Sequence, residues 1–258
     1  MHRALLVSEI LLEVFMHVNK RTLNPYALSL SYPEMSLARK SFAALARTCK
    51  RFHESAMDLL WAELDRIEPL LGCVTRLHPI LYRSGGPRSL RFEGTEPLSE
   101  HEARQFLRHA PRVRSLTILY DDYLHLLSVL PIETCMFPRL LSLSTDQDLN
   151  RYLHLFLSPA LRRCALPVVH PDLISVSTRC AALEDLSIKS SFGNIAIDGQ
   201  VLYGSIRLCK GLVNLACPPL NWTTWEYLSN LPTLLTLEIW DDRCTGTAAY
   251  TIAVMQHL

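Results

Sequence analysis

One short phrase returns along the last two thirds of this 258-residue chain and limits what it can fold into. It reads Ser89-Leu-Arg-Phe92, Val113-Arg-Ser-Leu-Thr-Ile118, Leu140-Leu-Ser-Leu143, Leu161-Arg-Arg-Cys-Ala-Leu166, Leu183-Glu-Asp-Leu-Ser-Ile188, Leu212-Val-Asn-Leu-Ala-Cys217 and Leu234-Leu-Thr-Leu-Glu-Ile239. With Leu90, Leu116, Leu143, Cys164, Leu186, Leu215 and Leu237 taken as equivalent anchors, the steps are 26, 27, 21, 22, 29 and 22 residues. Apolar and polar residues alternate within each phrase, as they do in a short strand with one covered face. The stretches between, such as 100–109, 123–130 and 201–208, space their apolar residues as helices do. One strand with one helical segment cannot bury its own apolar face, so successive units must stack.

Steps of this length resemble those of leucine-rich repeats. The irregular lengths, and the missing asparagine or cysteine after most strands, match the degenerate, F-box-associated form of that repeat. The resemblance implies a curved leucine-rich-repeat solenoid over residues 87–258. An ordinary α/β domain also alternates strands with helices, but its strands are expected to be longer and more continuously apolar.

Ahead of the repeats, Leu6, Ile10, Leu11, Val14, Phe15 and Val18 recur at three- and four-residue intervals on one stripe of an amphipathic helix. Ser8 is placed to cap it, with Glu9 in the first turn. Asn24-Pro25 and Tyr32-Pro33 mark residues 19–35 as a loop. A second helix carries Phe42, Leu45, Ala46, Cys49 and Phe52 on one face, and a third, starting near Glu54, buries Met57, Leu60, Trp61 and Leu64. A helix over 68–83 then joins this bundle to the repeats.

Leu6, Glu9, Ile10, Leu11, Val14, Phe15, Leu45, Cys49, Phe52, Leu60 and Trp61 follow one another in the order and spacing of an F-box, so the chain resembles F-box proteins of the fungal type. That resemblance implies docking on the adaptor subunit of a cullin-RING ubiquitin ligase, and through the adaptor on a cullin. Leu6, Val7, Ile10, Leu11 and Phe15 are the implied adaptor-binding residues; Val7 stands where the family usually has proline. The fold class expected is thus α then α/β: a three-helix F-box-like bundle (1–66), a linker helix (67–86) and a leucine-rich-repeat solenoid (87–258). Its last segment, 245–258, is read as a helix with no strand after it, leaving the array uncapped.

Composition narrows the function. A formal charge of +1 supplies no general attraction to nucleic acid or anionic membrane. No stretch is long and apolar enough to cross a bilayer, and Glu9 and Glu13 interrupt any signal-peptide core. The eight cysteines form no Cys-x-x-Cys pair and have no histidine at zinc-ligand spacing, which points to a reducing compartment, cytoplasm or nucleus. Neither a metal nor a cofactor is expected. With no glycine-rich phosphate loop, no nucleophile elbow and no orienting acid for Cys164 and His170, enzyme chemistry has no support.

Binding has more. Residues alternating with the anchors share the other face of the strands: Ser115, Thr117, Ser142, Ser144, Arg163, Asp185, Ser187, Lys189, Asn214, Thr236, Glu238 and Trp240. Arg163, Asp185, Lys189, Asn214, Glu238 and Trp240 are the residues expected to meet a protein target, with Trp240 as the aromatic anchor. The expected function is a non-catalytic substrate-recognition subunit of a cullin-RING ligase. The alternative is a repeat protein that binds partners without any ligase.

Overall fold

The computed structural model describes residues 32–48, 50–83, 94–120, 122–131, 135–169, 172–189, 195–241 and 248–253. It divides the chain into two compact units, Met1–Glu63 and Leu64–Leu258.

In the first unit, helix α1 spans Tyr32–Thr48 and α2 spans Lys50–Ala62. Pro33 falls in the first turn of α1, where its missing N–H costs no intrahelical bond, so it opens the helix and does not interrupt it. The two helices close on a small core of Phe42, Ala46 and Ala56, flanked by Leu45, Phe52, Met57, Leu59 and Leu60. Arg39 Nη2 donates to the Glu63 carbonyl at 2.7 Å and fastens the start of the pair to its end. Phe52 therefore belongs to the later helix, and Trp61 is half-buried. The stripe over 5–18, with Leu6, Val7, Ile10, Leu11 and Phe15, lies outside the described residues.

The second unit opens with two short helices, α3 (Glu68–Leu71) and α4 (His78–Arg83). The single linker helix expected here is broken at Gly72, which caps α3, while Pro79 sits in the first turn of α4. Four of its apolar residues, Leu70, Leu71, Val74 and Leu77, are fully enclosed all the same, while Ile80 and Leu81 are half-buried. Helix α5 (Glu100–Leu107) follows, then α6 (Leu173–Arg179), α7 (Ile195–Leu208) and α8 (Trp222–Ser229), with 3-10 turns at Ala110–Arg112, Leu124–Val129 and Asn150–Phe156.

The strands are β1 (Glu63–Leu64), β2 (Ser115–Ile118), β3 (Ser142–Thr145), β4 (Arg163–Leu166), β5 (Asp185–Ile188), β6 (Asn214–Cys217), β7 (Thr236–Asp241) and β8 (Ala248–Ala253). From β2 to β7 each pairs with the next in parallel, and β8 pairs with β7 in the antiparallel sense. Six anchors fall into one cross-strand row, Leu116, Leu143, Cys164, Leu186, Leu215 and Leu237, each opposite the next and none more than 2% exposed. The seventh, Leu90, lies outside the described residues.

The recurrence extends to the backbone. The carbonyls of Arg114, Leu141, Arg162, Glu184 and Val213 each accept two consecutive N–H groups from the next strand's start. A turn bonded from i+3 back to i precedes β2, β3, β4, β5 and β7, as in Leu140 N–H to the Phe137 carbonyl at 3.0 Å. Phe137 stacks on Phe156, both fully buried, with ring centroids 5.8 Å apart.

The fold class expected from the sequence, a three-helix bundle followed by a curved leucine-rich-repeat solenoid, is corrected. The described residues form two N-terminal helices, not a bundle of three, and an α/β unit built on a parallel sheet. The misleading step was the demand for long, continuously apolar strands in an α/β domain, which holds only where helices cover both faces. Here one face stays open, so four-residue strands that alternate apolar and polar suffice. The C-terminal expectation changes too: part of the segment read as a helix is strand β8, which continues the sheet beyond β7.

Candidate functional site on the open sheet face

Alternation along parallel strands in register writes the open face as rows running across the sheet. One row joins Ser142, Arg163, Asp185, Asn214 and Thr236, and the next joins Ser144, Ala165, Ser187, Ala216 and Glu238. The second row carries only small side chains until Glu238. Between the rows lies a groove of about 290 Å³ whose lining includes both. That size is at the lower end for ligand sites, enough for a few side chains and too little for a large cofactor.

Four of the six residues expected to bind a target, Arg163, Asp185, Asn214 and Glu238, come together in this groove. Lys189 and Trp240 do not line it. Lys189 extends the outward-facing alternation of β5, and its ammonium lies 3.8 Å from the Asp146 carboxylate. Trp240 lies two residues beyond Glu238 on β7, half-buried, with its indole N–H enclosed and without a hydrogen-bond partner among the described residues. The sequence reading missed Ala165 and Ala216, which the groove's floor requires. Their outward position in the alternation was the available signal, but that reading looked for polar residues.

The charges of this face are largely committed. Asn214 Nδ2 donates to Asp185 Oδ1 across β5 and β6. Arg162 and Glu184, at the strand starts, pair at 3.1 Å. Among the described residues, Arg163 and Glu238 have no side-chain ion pair or hydrogen bond; the Asp185 carboxylate opposite Arg163 keeps its negative charge while accepting from Asn214, so the groove is lined by one positive and two negative side chains.

The thiols beneath the sheet do not resemble a reactive centre. Burial pushes the Cys164 thiol far up, helped by neighbouring Cys180 and Cys209, and it pushes Cys180 and Cys217 to about 12. A nucleophilic cysteine needs the opposite shift, toward thiolate. The Cys209 thiol donates instead to the Ser177 hydroxyl at 3.2 Å, although its pKa is also raised by burial. His170, the imagined partner of Cys164, lies outside the described residues. Among the described residues no group of three or more histidine, cysteine, aspartate or glutamate side chains is placed to hold a metal ion, and no helix is long and apolar enough to cross a membrane.

Comparisons of the chain with protein-family models, with curated proteins and with solved structures gave no match.

Proposed function

We propose that this protein is a non-catalytic substrate-recognition subunit of a cullin-RING ubiquitin ligase, which holds a protein target on its open sheet face and meets the ligase adaptor through its N-terminal helices. The observation that carries the recognition half is the groove on that face, with small residues on its floor and Arg163 and Glu238 left uncommitted. A parallel sheet is usually covered on both sides. One left bare and polar is suited to a partner that covers it by contact, a few anchoring side chains supplying most of the affinity.

The delivery half rests on the resemblance of residues 5–65 to an F-box. The packed pair α1 and α2, with Phe42, Leu45, Phe52 and Leu60 in or beside its core, supports that reading. In this role the chain makes and breaks no bond. It raises the local concentration of a target lysine near the ligase's charged conjugating partner.

The test is affinity purification of the full chain beside a variant carrying Leu6→Ser, Ile10→Ser and Phe15→Ser. The expected result is adaptor and cullin peptides with the parent and none with the variant. Equal recovery from both, or from neither, overturns the ligase role. Recovery from neither favours the second reading, a ligase-independent interaction protein, for which Val7 in place of the family's proline is the specific support.

A further inference from the structure

The turns that lead into β2 and β3 are built alike. Val113 N–H donates to the Ala110 carbonyl at 3.1 Å and Leu140 N–H to the Phe137 carbonyl at 3.0 Å, and Ser115 then stands opposite Ser142 in the parallel register. Each turn carries an exposed proline followed by an arginine, Pro111-Arg112 and Pro138-Arg139. The two arginines thus take equivalent places one strand apart, a spacing of about 4.8 Å. Arg108 caps the end of α5 just before the first turn, and Arg114 follows Arg112 on the way into β2. Neither 103–120 nor 135–145 contains an aspartate or glutamate; the first acids after them, Asp121 and Asp146, come past the far ends of β2 and β3.

Arg108, Arg114 and Arg139 are exposed and enter no ion pair or side-chain hydrogen bond among the described residues. Backbone positions this close lie within the roughly 8 Å over which physiological salt screens charge, so the fields of Arg112, Arg114 and Arg139 add. On the β4 side, Arg162 pairs with Glu184 and Asp185 stands opposite Arg163, so the uncompensated charge is centred on β2 and β3.

We propose that this strand-start edge docks a run of aspartates and glutamates from a protein partner, with Arg108, Arg112, Arg114 and Arg139 receiving its carboxylates. Charge complementarity fixes the sign of the occupant, and the fork of an exposed guanidinium suits a carboxylate. Single-stranded nucleic acid is the poorer fit, because it needs aromatic platforms for its bases as well as charge. The exposed side chains beside these arginines are prolines, and the aromatic ring of the β3 turn, Phe137, is fully buried. None of the four arginines lines the groove, so the edge is a second contact surface and stands independently of the ligase reading.

The probe is the blocked, fluorescently labelled peptide Glu-Asp-Glu-Asp-Glu-Asp, titrated against the full chain by polarisation beside its neutral counterpart Gln-Asn-Gln-Asn-Gln-Asn. The acidic peptide is expected to bind about tenfold more tightly, the sum of several exposed contacts that are each small. Raising salt from about 0.01 to about 0.15 M, where the screening length falls from about 30 to about 8 Å, should weaken it about tenfold. Arg114→Glu combined with Arg139→Glu should remove the preference. Arg207→Glu combined with Lys210→Glu, at exposed cations before β6, changes the net charge equally and should leave the preference intact. The salt series needs no substitution, so the proposal stays testable if the first pair fails to fold.

Equal binding of the two peptides, or affinity indifferent to salt, overturns the proposal. So do equal losses from both pairs of substitutions, which mark a general charge effect. Single-stranded oligothymidylate of the same charge binding as tightly as the acidic peptide marks nucleic acid as the occupant. A change in the chain's own oligomeric state with the Arg114 and Arg139 reversals marks a second copy, its acids at the strands' far ends filling the role. The ligase reading fails separately: acidic-peptide selectivity without adaptor capture removes delivery and keeps this edge, and adaptor capture without selectivity does the reverse.

Discussion

Arg76 and Glu102 meet in a two-pronged ion pair, Nε donating to Oε1 at 2.7 Å and Nη2 to Oε2 at 3.2 Å. The same carboxylate completes a capping box on α5. It accepts from the Ser99 N–H at 2.8 Å while the Glu102 N–H donates to the Ser99 hydroxyl at 3.4 Å. Arg76 also donates to the carbonyls of Glu96 and Pro97. One carboxylate thus closes a helix start and holds the turn between α3 and α4 against residues 96–102. Ser99-Glu-His-Glu102 has the spacing of a capping box, a signal the sequence reading passed over, and nothing in the sequence marks its partner 26 residues earlier.

Acid should loosen this junction. The Arg76 guanidinium first, and then the Ser99 backbone N–H, hold the Glu102 carboxyl down from 4.5 to about 2. A carboxyl depressed on folding adds stability that is fully present above its unfolded pKa and is lost as pH falls through the folded one. Glu102→Gln should therefore cost about 1 to 2 kcal/mol at neutral pH, the partial exposure of Arg76 tempering the full shift, and almost nothing near pH 2. Urea denaturation of parent and variant across that range checks it. A constant difference between them at every pH would refute the assignment.

Neighbouring residues of β6 should respond in opposite ways. Leu215 is 1% exposed in the anchor row, and Ala216 faces the open groove. Leu215→Ala should cost about 2 to 5 kcal/mol through lost transfer energy and a cavity. Ala216→Ser adds a hydroxyl on the open face and should stay within about 0.5 kcal/mol. Comparable losses from the two would mean the strand faces are wrongly assigned.

The anchor row and the polar face were both legible in the sequence because a period of two leaves no choice once the apolar side is known. That the polar side stays open was not. Nothing in Ser187 or Asn214 says whether a second layer covers them, since coverage depends on where the other elements go. Helix boundaries were lost for a local reason: the apolar face over 42–52 continues smoothly through the point where α1 gives way to α2. The strand β8 was misread because Ala249, Ile252 and Ala253 fit helical spacing as well as a strand. The β-branched and aromatic run Tyr250-Thr251-Ile252 and the free edge of β7 decide for the strand.

Native thiols should divide by burial. Cys164, Cys180, Cys209 and Cys217 are buried with raised pKa values, whereas Cys73 and Cys135 are half-buried. At mildly alkaline pH the four buried thiols should resist alkylation in the native chain and react once it is unfolded, because thiolate is the reacting form and attack also needs access. Mass mapping of iodoacetamide adducts reads each position. Rapid native labelling of Cys164 would contradict its burial and reopen the question of a reactive centre beneath the sheet.

The first unit offers the last prediction, because its core is small enough for one side chain to matter. Phe42 is 2% exposed and meets Ala46 on its own helix and Ala56 on α2, where small partners let the helices approach closely. Phe42→Ala removes the largest fully buried group of that core and should cost about 3 to 5 kcal/mol, a large share of what so small a unit can hold. The second unit keeps its own core of leucines and phenylalanines, so the loss should be confined to the first. Hydrogen exchange read by peptide should show faster exchange across 39–62 and unchanged protection across β2 to β7. If protection fell equally in both units, the division of the chain at Glu63 would not describe independent cores.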